Sequence, residues 1–553
     1  MIKKLIALLL PLALSGCAAL PTKLDVQTGP ELAPAVAQEF SYYTPAGPAQ
    51  NASPQEIVSG FLAAGTGPQN DYAVARQFLS QEFAQRWNPE NQTIIRTGAP
   101  SYRQSGDSLV VVDLNVGARI DDQGRYQDSS APDPTNLRFR LVEVDGQWRI
   151  SSAPNLTVVT TPVFSVVFNA FPIYFVDRGL ENLVPDLRWF PSKTSTATRL
   201  VNALLAGPSS WLETGVTSAI PEGTQLTINA VIIVDGVAQV DFDADALSAG
   251  ALERRVMLSQ LRSTLLQVLG VDDVSLSVNG SVQEISDIGI EPTVGMNPTY
   301  LLTANGVERL GAVQSSPMSG TNNLFEDYRP LLISLTDDGD RIAFTNADGV
   351  FEIRVQPLQS EITQLSELVD VAALEYDKFG SLWAFPRNAA EPIEVYDPST
   401  VVRKLESSFS GTRTAATIAS EGTRFVQSIS EVEADSVISI GTVLRDANRI
   451  PLSVNPGLMI YPVLGDPVAV AWQGNTTLRV LETTASGLTA FSEYPVAGPR
   501  TQLTMPPAIG LEIHSAVSTA STYLLSDAGE VWLFTANNWR RIRTGVVSMS
   551  ALR

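Results

Sequence analysis

Between residues 51 and 160 the apolar positions change rhythm once, and the change separates helices from strands. Ser53-Pro54-Gln55-Glu56 has the marks of a helix start: a serine able to cap, a proline at the first helical position and a glutamate three residues after the serine. Ile57, Phe61 and Leu62 follow at helical spacing. Tyr72, Ala75, Phe78, Leu79 and Phe83 keep that spacing and predict a second helix running to Trp87. The period then falls to two, predicting strands over 109–116, 137–144 and 148–150, the last two joined by a turn at Asp145-Gly146. This order predicts a small α+β domain over 51–160.

Residues 165–290 mix the two rhythms and predict an α/β unit. A strand covers 173–176. A helix over 194–205 stops at Gly207-Pro208, where glycine can cap and proline cannot continue. A hairpin pairs 226–233 with 237–242 around Asp235-Gly236, a dipeptide suited to positive φ. A long helix spans 252–269 with Val256, Leu261, Leu265 and Leu269 on its apolar face and Gly270 at its end, and a last strand covers 274–278.

Residues 300–553 carry no clear helical rhythm. Short β-rich runs recur around Gly339 ("LTDDGDRIAFTNADGVFEIRV"), Gly380 ("LEYDKFGSLWAFPRN"), Gly422 ("TIASEGTRFVQSIS") and Gly465 ("PVLGDPVAVAWQGNTTLRVLE"), at spacings of 41, 42 and 43 residues. Another, "STYLLSDAGEVWLFTANNWRRI", surrounds Gly529. A period of about forty residues with four strands' worth of β pattern predicts propeller blades. The length holds roughly five to seven such blades, and the 64 residues from Gly465 to Gly529 leave one unassigned. A pair of β-sandwiches is the alternative.

The first residues change the picture. Met1-Ile2-Lys3-Lys4 precedes an apolar run from Leu5 to Leu14. This is the layout of a secretory signal peptide over 1–16, and the run is too short for a membrane span. It ends in Leu14, Ser15, Gly16 and Cys17, a lipobox whose cysteine thiol takes up a diacylglyceryl group. Cys17 is the only cysteine of the 553 residues, so the domains hold without disulfides. A secreted protein with a free thiol is the other reading. Residues 17–50, with Pro21, Pro30, Pro34, Pro45 and Pro48, form the expected lipidated N-terminus and flexible stalk. The expected place is the extracytoplasmic face of the cell membrane, held by the lipid anchor.

The net charge of −21 excludes a nucleic-acid partner, whose phosphates demand a basic surface, and opposes docking on anionic lipid. The single histidine, His514, sits in an alternating strand pattern and is expected to be a structural or surface residue. With one histidine and no free cysteine, neither a catalytic triad nor a zinc or copper site is expected. Asp241, Asp243 and Asp245 have calcium-loop spacing, but Ala246 and Leu252 stand where an EF-hand needs glycine and glutamate, so a strand end and a helix start are expected instead. Asp337, Asp338 and Asp340 around Gly339 predict a blade turn. Trp383, Trp472, Trp532 and Trp539 could line a propeller face for a sugar or peptide, though blade packing is favoured. No cofactor, metal or catalytic residue is expected.

The order of parts resembles the LpqB family of actinobacterial lipoproteins. "LVEVDGQWRISSAP" is similar to the last hairpin of a nuclear-transport-factor-like domain. "IYFVDRGLENLVPDLRWFP" at 173–191, "LVNALLAGPSSWLETGVTSAIPEGTQL" at 200–226, "VAQVDFDADALSAG" and "QLRSTLLQVLGVDDVSLSVNG" resemble a GerM-type domain. "VAWQGNTTLRVL" at 470–481 resembles a propeller element of the family. The resemblance implies a non-enzymatic accessory that acts on the extracellular domain of a sensor histidine kinase of Mtr type, with output in envelope homeostasis and cell division. A cell-wall glycan or peptide binding module, and an envelope hydrolase using channel carboxylates, are the alternatives.

Overall fold

The computed structural model describes residues 45–551, except 194, 294–297, 312–314, 323, 357–359, 400, 407–408, 432–434, 462–463 and 516–520, and the side chains of 130–132. The signal peptide, the lipobox Leu14-Ser15-Gly16, Cys17 and most of the stalk lie outside the described residues.

Helix α1 (Pro54–Ala64) starts where its sequence marks it. The Glu56 N–H donates to Ser53 Oγ, and the Ser53 N–H donates to Glu56 Oε2 at 2.7 Å, closing a capping box. The backbone bond from Ser53, then its hydroxyl, hold the Glu56 carboxyl below its ordinary 4.5. A depressed folded-state value means that this contribution is complete above pH 4.5 and is lost as pH falls through the lowered value. Ser53→Ala is expected to cost about 1 kcal/mol at neutral pH, measured as a fall in the urea midpoint at constant slope.

The second helix predicted to reach Trp87 is two: α2 (Ala73–Arg76) and α3 (Gln81–Arg86). The backbone between them is claimed by a strand. Ile150 N–H donates to Phe78 O at 2.9 Å, and Ser80 N–H to Ile150 O at 2.8 Å, after which Ser80 Oγ caps α3. Strands β1 (Gln92–Ser105), β2 (Leu109–Asp121), β3 (Tyr126–Val144), β4 (Gln147–Ser152) and β5 (Thr157–Thr160) form one sheet in the order β4-β3-β2-β1-β5, antiparallel except for β1 with β5. Sequence periodicity misses β1, because register shifts at Ile95/Arg96 and Thr97/Ser101 break its alternation.

Helix α4 (Thr161–Val167) leads into the middle domain. This has one sheet of β6 (Phe168–Asp177), β7 (Leu183–Pro191) and β8 (Val216–Thr217), and helix α5 (Thr196–Leu205). A second sheet takes β9 (Ile232–Val234), β10 (Val237–Phe242), β11 (Asp273–Val278) and β12 (Ser281–Val282), with α6 (Ala251–Leu265) as the crossover between parallel β10 and β11. Two predicted bounds change here. The first hairpin arm is interrupted: Ile232–Val234 (β9) and Leu226 both pair with β10, while between them Val231 N–H turns to Thr198 Oγ1. Helix α6 stops at Leu265, and Leu269, predicted on its apolar face, is 79% exposed. Gln260 and Thr264 on α6 are fully buried because they bond the main chain of Tyr174 and Ala219.

The C-terminal region is a six-bladed propeller. Four-stranded antiparallel sheets are formed by β16–β19 (332–366), β20–β23 (371–405), β24–β27 (412–460), β28–β31 (465–502) and β32–β35 (510–544). The sixth joins β13 (Thr299–Thr303), β14 (Gly306–Arg309) and β15 (Ser316–Pro317) to the last strand, β36 (Val546–Ala551), which pairs with β13. The inner strands are β16 (Leu332–Leu335), β20 (Val371–Tyr376), β24 (Thr412–Ile418), β28 (Gly465–Gln473), β32 (Gly510–Ser515) and β36. Each touches the next right round the ring. They begin on one face, called the front, and end in turns on the other, the back.

No blade is missing between Gly465 and Gly529. Gly339, Gly380 and Gly422 occupy the turn after an inner strand, all with φ between 73° and 77°. Gly465 instead opens β28, and Gly529 lies one turn further on, between β33 (Thr522–Ser526) and β34 (Glu530–Thr535). The spacing that seemed to break had compared unlike positions.

Candidate functional site

Two places gather polar side chains: the channel along the ring axis, and the seam between the middle domain and the back of the ring. The channel is a cavity of about 100 Å³ lined by all six inner strands, against roughly 300–1,000 Å³ for a small-molecule pocket. Its polar groups tie blade to blade. Ser334 Oγ accepts from Tyr376 N–H at 2.8 Å. Glu375 accepts from Ile418 N–H at 3.1 Å and from Thr417 Oγ1 at 3.3 Å. Glu512 Oε2 accepts from Met549 N–H at 2.9 Å. His514 lines the same channel on β32, its Nε2 3.7 Å from that Glu512 oxygen. Both carboxylates thus serve main-chain N–H groups of the following blade.

The other sequence candidates are structural. Asp241 Oδ1 accepts from Gly280 N–H, and Asp243 Oδ1 from Asp245 N–H at the head of a 3₁₀ turn over Ala244–Ser248, so the expected strand end and helix start are both present. Asp338 accepts from Thr336 Oγ1 and from Asp340 N–H in the blade turn, which holds its carboxyl below 3.8. Trp383 and Trp472 are buried between blades. Trp539 packs on Phe491 and Phe534 and donates to Thr504 O at 2.8 Å, beside half-buried Trp532. These tryptophans are blade packing, not a sugar platform.

The seam was not foreseen from sequence. The described residues from 45 to 551 form one compact unit, and three buried arginine–carboxylate pairs lie at its joints. Arg188 Nη2 pairs with Asp186 at 2.5 Å while Nη1 donates to Gln123 O of the N-terminal domain at 3.1 Å. Asp186 also accepts from the N–H and hydroxyl of Ser209. Arg424 pairs with Glu421 at 2.7 Å, donates to Asn475 O at 2.7 Å and Pro185 O of the middle domain at 3.4 Å, and stacks 4.7 Å over Trp472. Arg445 pairs with Asp377 at 2.7 Å. Asp377 also accepts from Trp383 Nε1, and Arg445 lies over Phe379. Around them Trp189 Nε1 donates to Ala497 O at 2.8 Å, Lys378 Nζ to Asn182 Oδ1 at 2.6 Å, and Arg449 pairs with Glu181. Burial pulls Lys378 below its ordinary 10.5 despite nearby carboxylates. The signal in the sequence was a charged pair inside an apolar run, as in Asp186-Leu187-Arg188-Trp189.

A helical and sheeted N-terminal domain, a middle α/β domain and a propeller in this order define a class of multidomain propeller protein built around a tied, narrow channel. Three family models match in the same order: "Lipoprotein LpqB, N-terminal domain" over residues 47–165, "Sporulation and spore germination" over 172–284, and "Lipoprotein LpqB beta-propeller domain" over 314–550. The chain belongs to the LpqB lipoprotein family. A Lipoprotein LpqB of Bifidobacterium longum is 30% identical over 60% of this chain and 59% of its own length. The chain thus matches less than two thirds of that relative. One of Streptomyces avermitilis is 24% identical over 96% of this chain and 94% of its own. Among solved structures, a nidogen–laminin complex chain shares 10% identity over 46% of this chain and 98% of that chain, at a TM-score of 0.36. No helix among the described residues is long and apolar enough to cross a membrane.

Proposed function

We propose that this chain is a non-enzymatic, lipid-anchored accessory protein that binds the extracellular domain of a sensor histidine kinase of Mtr type, in envelope homeostasis and cell division. The kinase enters through the family resemblance. The observation that favours a binding body over a catalyst is the use of the channel carboxylates: Glu375 and Glu512 are taken up by main-chain N–H groups of the next blade. Buried Arg188 and Arg424 each reach a carbonyl of a neighbouring domain, at Gln123 and Pro185. Two acyl chains on Cys17 give stable attachment, and a stalk of about 30 residues reaches on the order of 30 Å. Anchoring both partners to one membrane raises their effective concentration, and preference for one kinase state shifts its signalling.

Cys17→Ala is expected to move the protein from the membrane fraction to the soluble fraction; a variant that stays membrane-bound overturns the tether. In-cell crosslinking and mass spectrometry on the anchored protein should enrich a sensor kinase over an unrelated anchored lipoprotein. Recovery of wall fragments alone would replace this reading with glycan binding.

A further inference from the structure

The front face of the propeller, away from the seam, carries exposed apolar side chains near the starts of five of the six inner strands. Leu331 precedes β16, Val369 precedes β20, Tyr461 precedes β28, Ile509 and Leu511 flank the start of β32, and Val547 starts β36. All six are exposed, between 46% and 57%. Each lies within four residues of the start of an inner strand, and Leu511 also lines the channel. Scattered exposed apolar residues need no explanation, but a set that recurs on one face from blade to blade marks a patch. Its surround is acidic. Asp348, Glu367, Glu391, Glu406, Asp435 and Asp527, in the links and turns of this face, are exposed and outnumber its cations, exposed Arg329 beside Leu331 and Arg387, which pairs with Asp370.

We infer that this front face is a docking surface for a protein segment that presents apolar side chains flanked by lysine or arginine. The apolar ring would bury the segment's apolar residues, and the acidic surround selects its sign. An anionic lipid surface and a second copy of this chain both carry the wrong charge. The inference gives the proposed accessory role a contact surface, and it rests on that role only in taking the chain to be a binding protein.

The test uses the full chain carrying Cys17→Ala and a short fluorescent peptide of leucines and lysines, read by anisotropy. Two control peptides replace leucine by serine, or lysine by glutamate. Expected is binding about tenfold tighter than either control, weakened by salt. The double substitution Leu511→Ser with Val547→Ser should lose about thirtyfold, since each removes part of the apolar surface that the peptide buries. Val401→Ser, exposed on the opposite face, should change nothing. Matching thermal melts for the variants exclude misfolding. Equal binding of the serine–lysine peptide or of the leucine–glutamate peptide, or an unaffected double variant, would each overturn the inference. No kinase is present, so failure here and failure of kinase capture are read separately.

Discussion

A chain ended at Thr544 is expected to have no folded propeller. The cut removes β36, which supplies the inner strand of the blade begun by β13, from Thr299 opposite Ala551 to Thr303 opposite Val546. It also removes buried Val546 and Met549 from the cluster with Leu301, Leu525 and Val531, along with buried Ala551, and it takes away the N–H of Met549 that Glu512 accepts. Each lost backbone bond is worth about 1 kcal/mol, and each buried Val or Met side chain roughly 1.5–3 kcal/mol. Together these approach the whole stability of a typical domain, about 5–15 kcal/mol. The expected result is loss of the near-ultraviolet circular dichroism of the buried tryptophans, with protein recovered as aggregate. A truncated chain that melts at the wild-type midpoint would show that β36 does not close the ring.

Arg424→Met is expected to cost about 3–5 kcal/mol, because it leaves Glu421 buried without its partner. Glu421 is 1% exposed and Arg424 not at all. The same change deprives the carbonyls of Asn475 and Pro185 of a donor and lifts a cation off Trp472. Adding Glu421→Gln should restore most of the loss, since the uncompensated charge is then gone. Urea unfolding of the two variants measures both changes. If the single and double variants are equally destabilised, packing of the arginine stem, not the ion pair, holds this joint. Because Arg424 bridges blade and middle domain, the single variant should also expose the seam to proteolysis before global unfolding.

What was legible in the sequence was what local chemistry writes. The serine, proline and glutamate of α1, the two-residue turns at Asp145-Gly146 and Asp235-Gly236, and the forty-residue period of the ring all follow from short-range rules, and all four are present. What failed depended on partners far away in the chain. Residues 77–80 look helical until Ile150 claims their main chain. Leu269 keeps helical spacing after α6 has ended. Gly465 matched the period by number while standing in a different turn. For the candidate sites the same line divides success from failure. The packing of the tryptophans could be weighed from the blade pattern. The buried arginines could not, because Arg188 and Arg424 each serve carbonyls more than sixty residues away, at Gln123 and Pro185. The apolar front-face residues look like ordinary strand starts, and only ring closure brings them together.

The pairing of β13 with β36 also sets the order in which the molecule can be made. The two strands are about 250 residues apart, and contacts so distant form slowly. At roughly 5–20 residues per second, the first three strands of that blade wait tens of seconds after synthesis for their inner neighbour. Through that interval the edge of β13 is open and able to pair with another unfinished chain. The N-terminal and middle domains meet no such delay, since their sheets close within their own stretches of chain. The propeller is therefore the last part of the molecule to mature and the part most exposed to misassembly.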